Sequence, residues 1–327
     1  MRRIAFLLLL LLSALGGGGA WWLQTPLDMP GASVDLTIEA RTSVAGVAQT
    51  VARSGVRVRP ELLHVWFRLS GESRQIKAGS YEIERGTTPR GLLRKLVDGE
   101  ESLFTLTLVE GWTFRQVRAA LAAAPQLAHD TAGLSQAALM DRLGRPGLHP
   151  EGRFFPDSYS YAKGSSELKL LERAMREMDR RLQSAWALRA ADSPLQNAEQ
   201  ALILGSIVEK ETGTPADRGL IAAVFTNRLR AGMMLQTDPT VIYGLGEAFD
   251  GNLRKRDLLT DTPWNTYIRH GLPPTPIAMP GQDALRAAVA PAKTQALYFV
   301  ARGDGSSQFS NSLPEHNRAV DKYQRLK

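Results

Sequence analysis

The sequence predicts an α+β protein rich in helix, and three observations carry that reading. An alternating strand ending in Glu, a turn with Thr and an apolar-periodic helix follow one another three times, beginning at Asp35 (DLTIEARTS), Ser80 (SYEIERGTT) and Leu106 (LTLVEGWTF). Strand, cap and helix is also a common local grammar, so the copies need not be a true repeat. Beyond residue 135 the apolar residues recur mainly at helical spacing. Before residue 24 the chain holds a separate, uncharged stretch.

That stretch, 4–23, reaches at about 1.5 Å per residue the roughly 30 Å of a hydrocarbon core. Arg2 and Arg3 precede it, and Trp21 and Trp22 stand where an interfacial aromatic belt belongs. The pattern predicts a transmembrane anchor over 1–23, with its N-terminus cytoplasmic and the remainder across the membrane. A cleaved signal peptide is the competing reading, because Leu7 to Leu12 makes a compact apolar core and small residues follow at 16–20. Residues 24–33, with two prolines and Gly31, read as a linker.

Folded structure is expected from Val34, as one domain over 34–125 and a second over 126–327. Thr42, Thr87 and Thr113 stand where a hydroxyl caps a following helix, and Pro89 suits a first helical turn. Helices are predicted near 44–52, 60–69, 89–97 and 114–123, with Gly55, Gly71 and Gly99 as stop signals. The domain therefore begins strand, helix, helix, strand. Next come a helix near 135–143, the aromatic segment PEGRFFPDSYSY (150–161) and a long amphipathic helix over 168–188. The aromatic segment, with Glu151 and Asp157, reads either as the lining of a sugar groove or as a domain seam.

The run ALILGSIV (201–208) has Ser206 as its only polar side chain, and Glu209 closes it. A helix that apolar is buried, and a carboxyl at its end risks desolvation, which raises its pKa and leaves a protonated acid near neutral pH. The plainer reading is that Glu209 opens the solvated stretch Glu209–Thr212. Glu211 lies about 200° around the helix from Glu209, so the two do not pair on one face as glycosidase carboxylates would. After a structural helix over 218–230, GMMLQTDPTVIYGLG (232–246) gathers Gln236, Thr237, Asp238, Thr240 and Tyr243 around Pro239, and reads either as a loop presenting hydrogen-bonding groups or as a plain turn set by Asp238 and Pro239. WNTYIRHGLPPTPIAMPG (264–281) is too rich in proline for a long helix, and reads either as a wall whose Asn265, Thr266 and Tyr267 suit acetamido and hydroxyl groups or as a structural proline loop without ligand contact.

Composition excludes several classes. Without cysteine there is no disulfide or thiolate site, and the five histidines form no metal-ligand spacing, so neither metal nor cofactor is expected. The 40 basic and 33 acidic residues are scattered and no basic run is flanked by stacking aromatics, so no nucleic-acid partner is expected.

The segments EGRFFPDSY, SIVEKET, NRLRAGMMLQTDPTVIYGLG, NTYIRHGLPPTPIAMPG and LYFVARGDG, in this order, resemble those of the endolytic murein transglycosylases, the MltG or YceG-like family. The resemblance implies a membrane-anchored enzyme with a small LysM-like domain over 34–125 and a catalytic domain over 126–327. It implies cleavage of the MurNAc–GlcNAc β-1,4 bond in nascent peptidoglycan glycan strands, without water, leaving 1,6-anhydroMurNAc ends and terminating elongation. A hydrolytic muramidase and a non-catalytic peptidoglycan-binding scaffold are the alternatives. By resemblance Glu209 is the catalytic acid, protonating the leaving oxygen and then taking the proton of the sugar's own 6-hydroxyl. Glu151, Ser206, Gln236, Asp238, Thr240, Tyr243, Asn265 and Tyr267 are the candidate substrate contacts. Penicillin-binding proteins or glycan polymerases are the implied partners, and the inner membrane with a periplasmic catalytic domain is the implied location. Thr275 departs from the family's GLPPGPI, which puts the local backbone there in question.

Overall fold

The computed structural model describes residues 2–325, without the side chains of residues 2–5, 7–9, 11, 12 and 15. The fold is mixed α+β, and the chain packs as two units, 1–104 with 160–164, and 105–159 with 165–327.

In the first unit, α1 (Arg2–Gln24) leads into β1 (Ser33–Ile38), α2 (Val44–Arg53), α3 (Pro60–Leu69), β2 (Gly79–Glu84) and α4 (Pro89–Asp98). The anchor expectation rests largely on leucines whose side chains lie outside the described residues. Among the described residues no helix is long and apolar enough to cross a membrane. Strands β1 and β2 pair antiparallel, with Val34 opposite Ile83 and Leu36 opposite Tyr81. Alternation along β1 turns Val34, Leu36 and Ile38 inward, where they meet Val47, Val51, Leu63, Phe67 and Leu92. Two caps fall one residue later than expected. Ser43 and Thr88, not Thr42 and Thr87, accept the N–H of Gly46 and Gly91, while the Thr42 hydroxyl donates backward to the Glu39 carbonyl.

In the second unit, β3 (Leu103–Thr107) pairs with β4 (Ser158–Ala162), and the division between units falls within both strands. Helix α5 (Phe114–Ala123) starts on a capping box between Thr113 and Gln116. Helices α6 (Gln136–Arg142) and α7 (Glu167–Trp186) follow, then α8 (Ala198–Glu211), α9 (Arg218–Arg230), α10 (Asp238–Leu245), α11 (Lys255–Leu258) and α12 (Gln282–Val289). The hairpin β5 (Tyr298–Ala301) with β6 (Ser307–Ser310) and α13 (Leu313–Val320) complete the fold.

Two sequence expectations change here. Part of the polar stretch after Gly232 is helix, because Pro239 falls in the first turn of α10, where its fixed φ favours helix and its missing N–H costs nothing. The aromatic segment offers no sugar groove, since Phe154, Phe155, Tyr159 and Tyr161 are buried and Phe154 stacks on Phe114 at 5.5 Å.

Helix α8 is the axis of the second core. Every residue from Ala201 to Val208 is buried, against α7, α9 and α12. Gly205 permits the close approach of α12, because a Cβ there would stand 3.2 Å from the buried Leu285. The segment 264–281 is ordered without helix or strand, and the Ser206 hydroxyl accepts the Ile277 N–H at 3.0 Å to tie it to α8.

Candidate active site

Helix α8 runs three residues beyond its apolar stretch, from Glu209 to Glu211, so it ends on two carboxylates two residues apart. Their surroundings differ as the 200° between them requires.

Glu209 is half-buried, and its Oε2 accepts the Gly281 N–H at 2.9 Å. The turn after β3 closes over it. Lys210 Nζ donates to the Gly111 carbonyl at 3.3 Å, the Gly111 N–H donates to the Met279 carbonyl, and the Met279 N–H returns to the Trp112 carbonyl. A Cβ on Gly281 would overlap the Glu110 carboxylate, so Glu110 and Glu209 lie against one residue. Burial pushes the Glu209 pKa up, the Gly281 hydrogen bond opposes this, and the like charge of Glu110 adds to it.

Glu211 accepts a hydrogen bond from the Thr237 hydroxyl and lines a cavity of about 510 Å³. Gln236, Asp238 and Tyr267 line the same cavity, with Arg228 and Tyr298, and Glu209 is not among the lining residues. The Tyr267 hydroxyl donates to Asp238 Oδ1 at 2.5 Å. Burial raises the Glu211 pKa, the Thr237 hydroxyl opposes it, and the charge of Asp238 raises it further. The result is a carboxyl that keeps its proton at higher pH than an ordinary glutamate, facing space a ligand can enter.

The 264–281 segment places these groups from behind. Asn265 Nδ2 donates to the carbonyls of Leu258 and Thr260, at 3.0 and 2.8 Å, while its Oδ1 accepts the N–H of Tyr267. The Thr266 hydroxyl accepts the Thr237 N–H at 3.1 Å and shares a hydrogen bond with Thr240. Gln236, at φ +50°, turns the chain so that its N–H reaches the Thr266 carbonyl.

The sequence-predicted contacts therefore separate. Gln236, Asp238 and Tyr267 meet at the cavity. Ser206, Thr240 and Asn265 are fully buried and spend their polar atoms on the backbone or on Thr266, so they hold the site without reaching a substrate. Glu151 is also buried. It accepts the Phe114 N–H at the start of α5, 2.9 and 3.1 Å from its two oxygens, and shares a hydrogen bond with Tyr243. Burial pushes its pKa up to about 7, against those hydrogen bonds. Tyr243 continues to Thr275, which accepts from Trp264 Nε1 at 2.9 Å, so the departing threonine has its own place in this second network. Gly152, at φ +77°, lets Pro276 approach to where a Cβ would stand 2.6 Å from it.

Sequence reasoning noted Thr237 and Thr266 in their polar stretches without counting them among the contacts, missed Arg228, and passed over Glu211. The signal was available only for Glu211, since the helical run continues through Lys210 to Thr212 without a breaker.

The model of the YceG-like family matches residues 36–322. The chain belongs to that family. An endolytic murein transglycosylase of Bacillus subtilis is 31% identical to this YceG-like chain over 308 residues, 89% of the chain and 85% of the relative. A protein of the same description from Streptococcus pneumoniae is 28% identical over 320 residues, and the chain spans 58% of its length. The 2.6 Å crystal structure of a yceG-like protein from Listeria monocytogenes is 27% identical, with a TM-score of 0.56, covering 88% of this chain and 98% of that one. The fold is thus shared over 88% of the chain, and the residues matched by the family model include α8 and the 264–281 segment.

Proposed function

We propose that this chain is an endolytic lytic transglycosylase of peptidoglycan and that Glu211 is its acid and base. The reaction follows from the family and from the names of its relatives. The single observation that carries the residue assignment is the cavity, where Glu211, its pKa raised by burial, meets Gln236, Asp238 and Tyr267. This moves the acid two residues from Glu209, whose raised pKa accompanies a carboxylate clasped by backbone.

In the reaction Glu211 gives its proton to the oxygen of the MurNAc–GlcNAc β-1,4 bond as the C1–O bond breaks. The carboxylate left behind takes the proton of the muramyl 6-hydroxyl while that oxygen bonds to C1. The products are a free GlcNAc end and a 1,6-anhydroMurNAc end, the acid is regenerated, and no water is consumed. Asp238, oriented by Tyr267, accepts from substrate hydroxyls, and the exposed Gln236 amide suits an acetamido group.

Anchoring over 1–23, N-terminus inward, is supported by the charge-free stretch and its flanking arginines and tryptophans. It would hold the site in the periplasm beside the inner membrane, where glycan polymerases or penicillin-binding proteins extend strands, and cutting there terminates elongation. The strand, helix, helix, strand order of β1 to β2 with antiparallel pairing supports a LysM-like N-terminal domain.

One observation favours a second reading. Asp238 in the same cavity gives a second carboxylate, which a hydrolytic muramidase would use to activate water. Mass spectrometry of uncrosslinked glycan strands digested by the full-length chain separates the two, since anhydro ends are lighter than reducing ends by one water. Glu211→Gln in the same assay tests catalysis itself. Unchanged cleavage by that variant sinks the assignment, and binding with no cleavage by either protein leaves only a scaffold.

A further inference from the structure

The cavity that holds Glu211 has a wall from the C-terminal end of the chain, where β5 contributes Tyr298 and α13 contributes Leu313, His316 and Val320. The His316 ring stacks on Tyr298, with centroids 5.2 Å and planes 24° apart. Arg228 lies 5.2 Å from the centroid of the same tyrosine ring, and donates to the carbonyls of Leu297 and Leu235 at 2.7 Å each. His316 Nδ1 is buried and has no hydrogen-bond partner. Buried polar atoms are nearly always satisfied, so an orphan on a residue that lines a cavity marks a place where a ligand atom or water completes the set. Burial, and then the charge of Arg228, hold the His316 pKa below the ordinary histidine value. The ring is therefore neutral at pH 7 and offers one donor and one acceptor.

Beside this imidazole, Leu313 and Val320 offer aliphatic surface. A polar ring with both hydrogen-bonding senses next to apolar side chains matches an acetamido group, whose amide needs hydrogen bonds and whose methyl needs burial. We propose that His316, Leu313 and Val320 form a subsite for the N-acetyl group of a sugar in the strand bound across Glu211. Tyr298 and Arg228 are positioning residues that hold the imidazole in place. The subsite rests on the reading of the Glu211 cavity as the place of cleavage.

The test measures binding of purified uncrosslinked glycan strands to the full-length Glu211→Gln protein, which binds without turnover, alone and with His316→Phe or His316→Gln added. Phenylalanine keeps the stack on Tyr298 and removes both nitrogens, whereas glutamine restores a donor and an acceptor. The expected result is about tenfold weaker binding for His316→Phe, near-parental binding for His316→Gln, and unchanged melting temperatures, tenfold being the affinity equivalent of one good hydrogen bond. With Glu211 intact, His316→Phe raises KM more than it lowers kcat. Strands bound equally well by all three proteins overturn the subsite, as does equal weakening by Phe and Gln. A Glu211→Gln protein that still cleaves overturns the underlying site instead, and the two failures are read from separate measurements.

Discussion

Glu209 and Glu211 share a helix, a motif and the direction of their pKa shift, yet they sit in different chemistry. Glu209 is met by the backbone N–H of Gly281 and covered by the turn that carries Glu110 and Gly111. Glu211 is met by the Thr237 hydroxyl and opens on a cavity lined by Gln236, Asp238 and Tyr267. Desolvation raises both. A raised pKa alone therefore does not locate a catalytic acid. Room for a substrate, and polar side chains not already spent on the backbone, make the distinction.

The largest effect expected from this contrast is on turnover. Glu211→Gln should lower kcat on glycan strands by about 10³-fold, the range of a lost general acid. Glu209→Gln, which keeps the shape and can still accept from Gly281, should cost less than about tenfold, an effect of position and not of proton transfer. Release of anhydro ends, followed by mass spectrometry, reads both. A 10³-fold loss in Glu209→Gln with activity kept in Glu211→Gln would reverse the assignment.

The sequence favours Glu209 and the cavity favours Glu211, and that difference has a physical reason. The apolar run 201–208 and its burial were legible, because eight residues with one hydroxyl admit few other environments. The capping box at Thr113 and the first turn at Pro89 were legible for the same local reason. What lies beyond the end of α8 was not. Whether a carboxyl there meets Gly281 or Thr237 is decided by segments 26 and 72 residues away, which local spacing does not encode. The buried contacts failed similarly. Asn265 and Thr240 have the chemistry to bind sugar, but an irregular segment such as 264–281 must satisfy its own backbone first, and these residues are consumed in doing so.

Glu151 sharpens the comparison as a third carboxyl, whose raised pKa serves structure. Its folded-state pKa of about 7 stands above the ordinary 4.5, so folding favours the protonated form. This contribution is complete below about pH 4.5 and is lost as pH rises through 7, a difference of about 3 kcal/mol. Glu151→Gln is neutral at every pH and should flatten the stability profile by that amount between pH 4.5 and 8, read by denaturant unfolding at fixed pH values. An unchanged slope would mean that Glu151 titrates normally and that its hydrogen bonds to Phe114 and Tyr243 offset its burial.

The smallest effect expected separates the two carboxylates of α8 by the hydroxyl that only one of them has. Thr237 donates to Glu211, which favours the charged form and holds down a pKa that burial and Asp238 push up. Thr237→Val keeps the volume and removes the donor, so the Glu211 pKa should rise further as the charged form loses a hydrogen bond. An acid that keeps its proton longer moves the basic limb of the pH–rate profile to higher pH by the same amount. Were Glu209 the acid, the limb would stay where it is, because Thr237 donates to Glu211. The pH dependence of kcat for this one variant thus discriminates between the two glutamates without altering either.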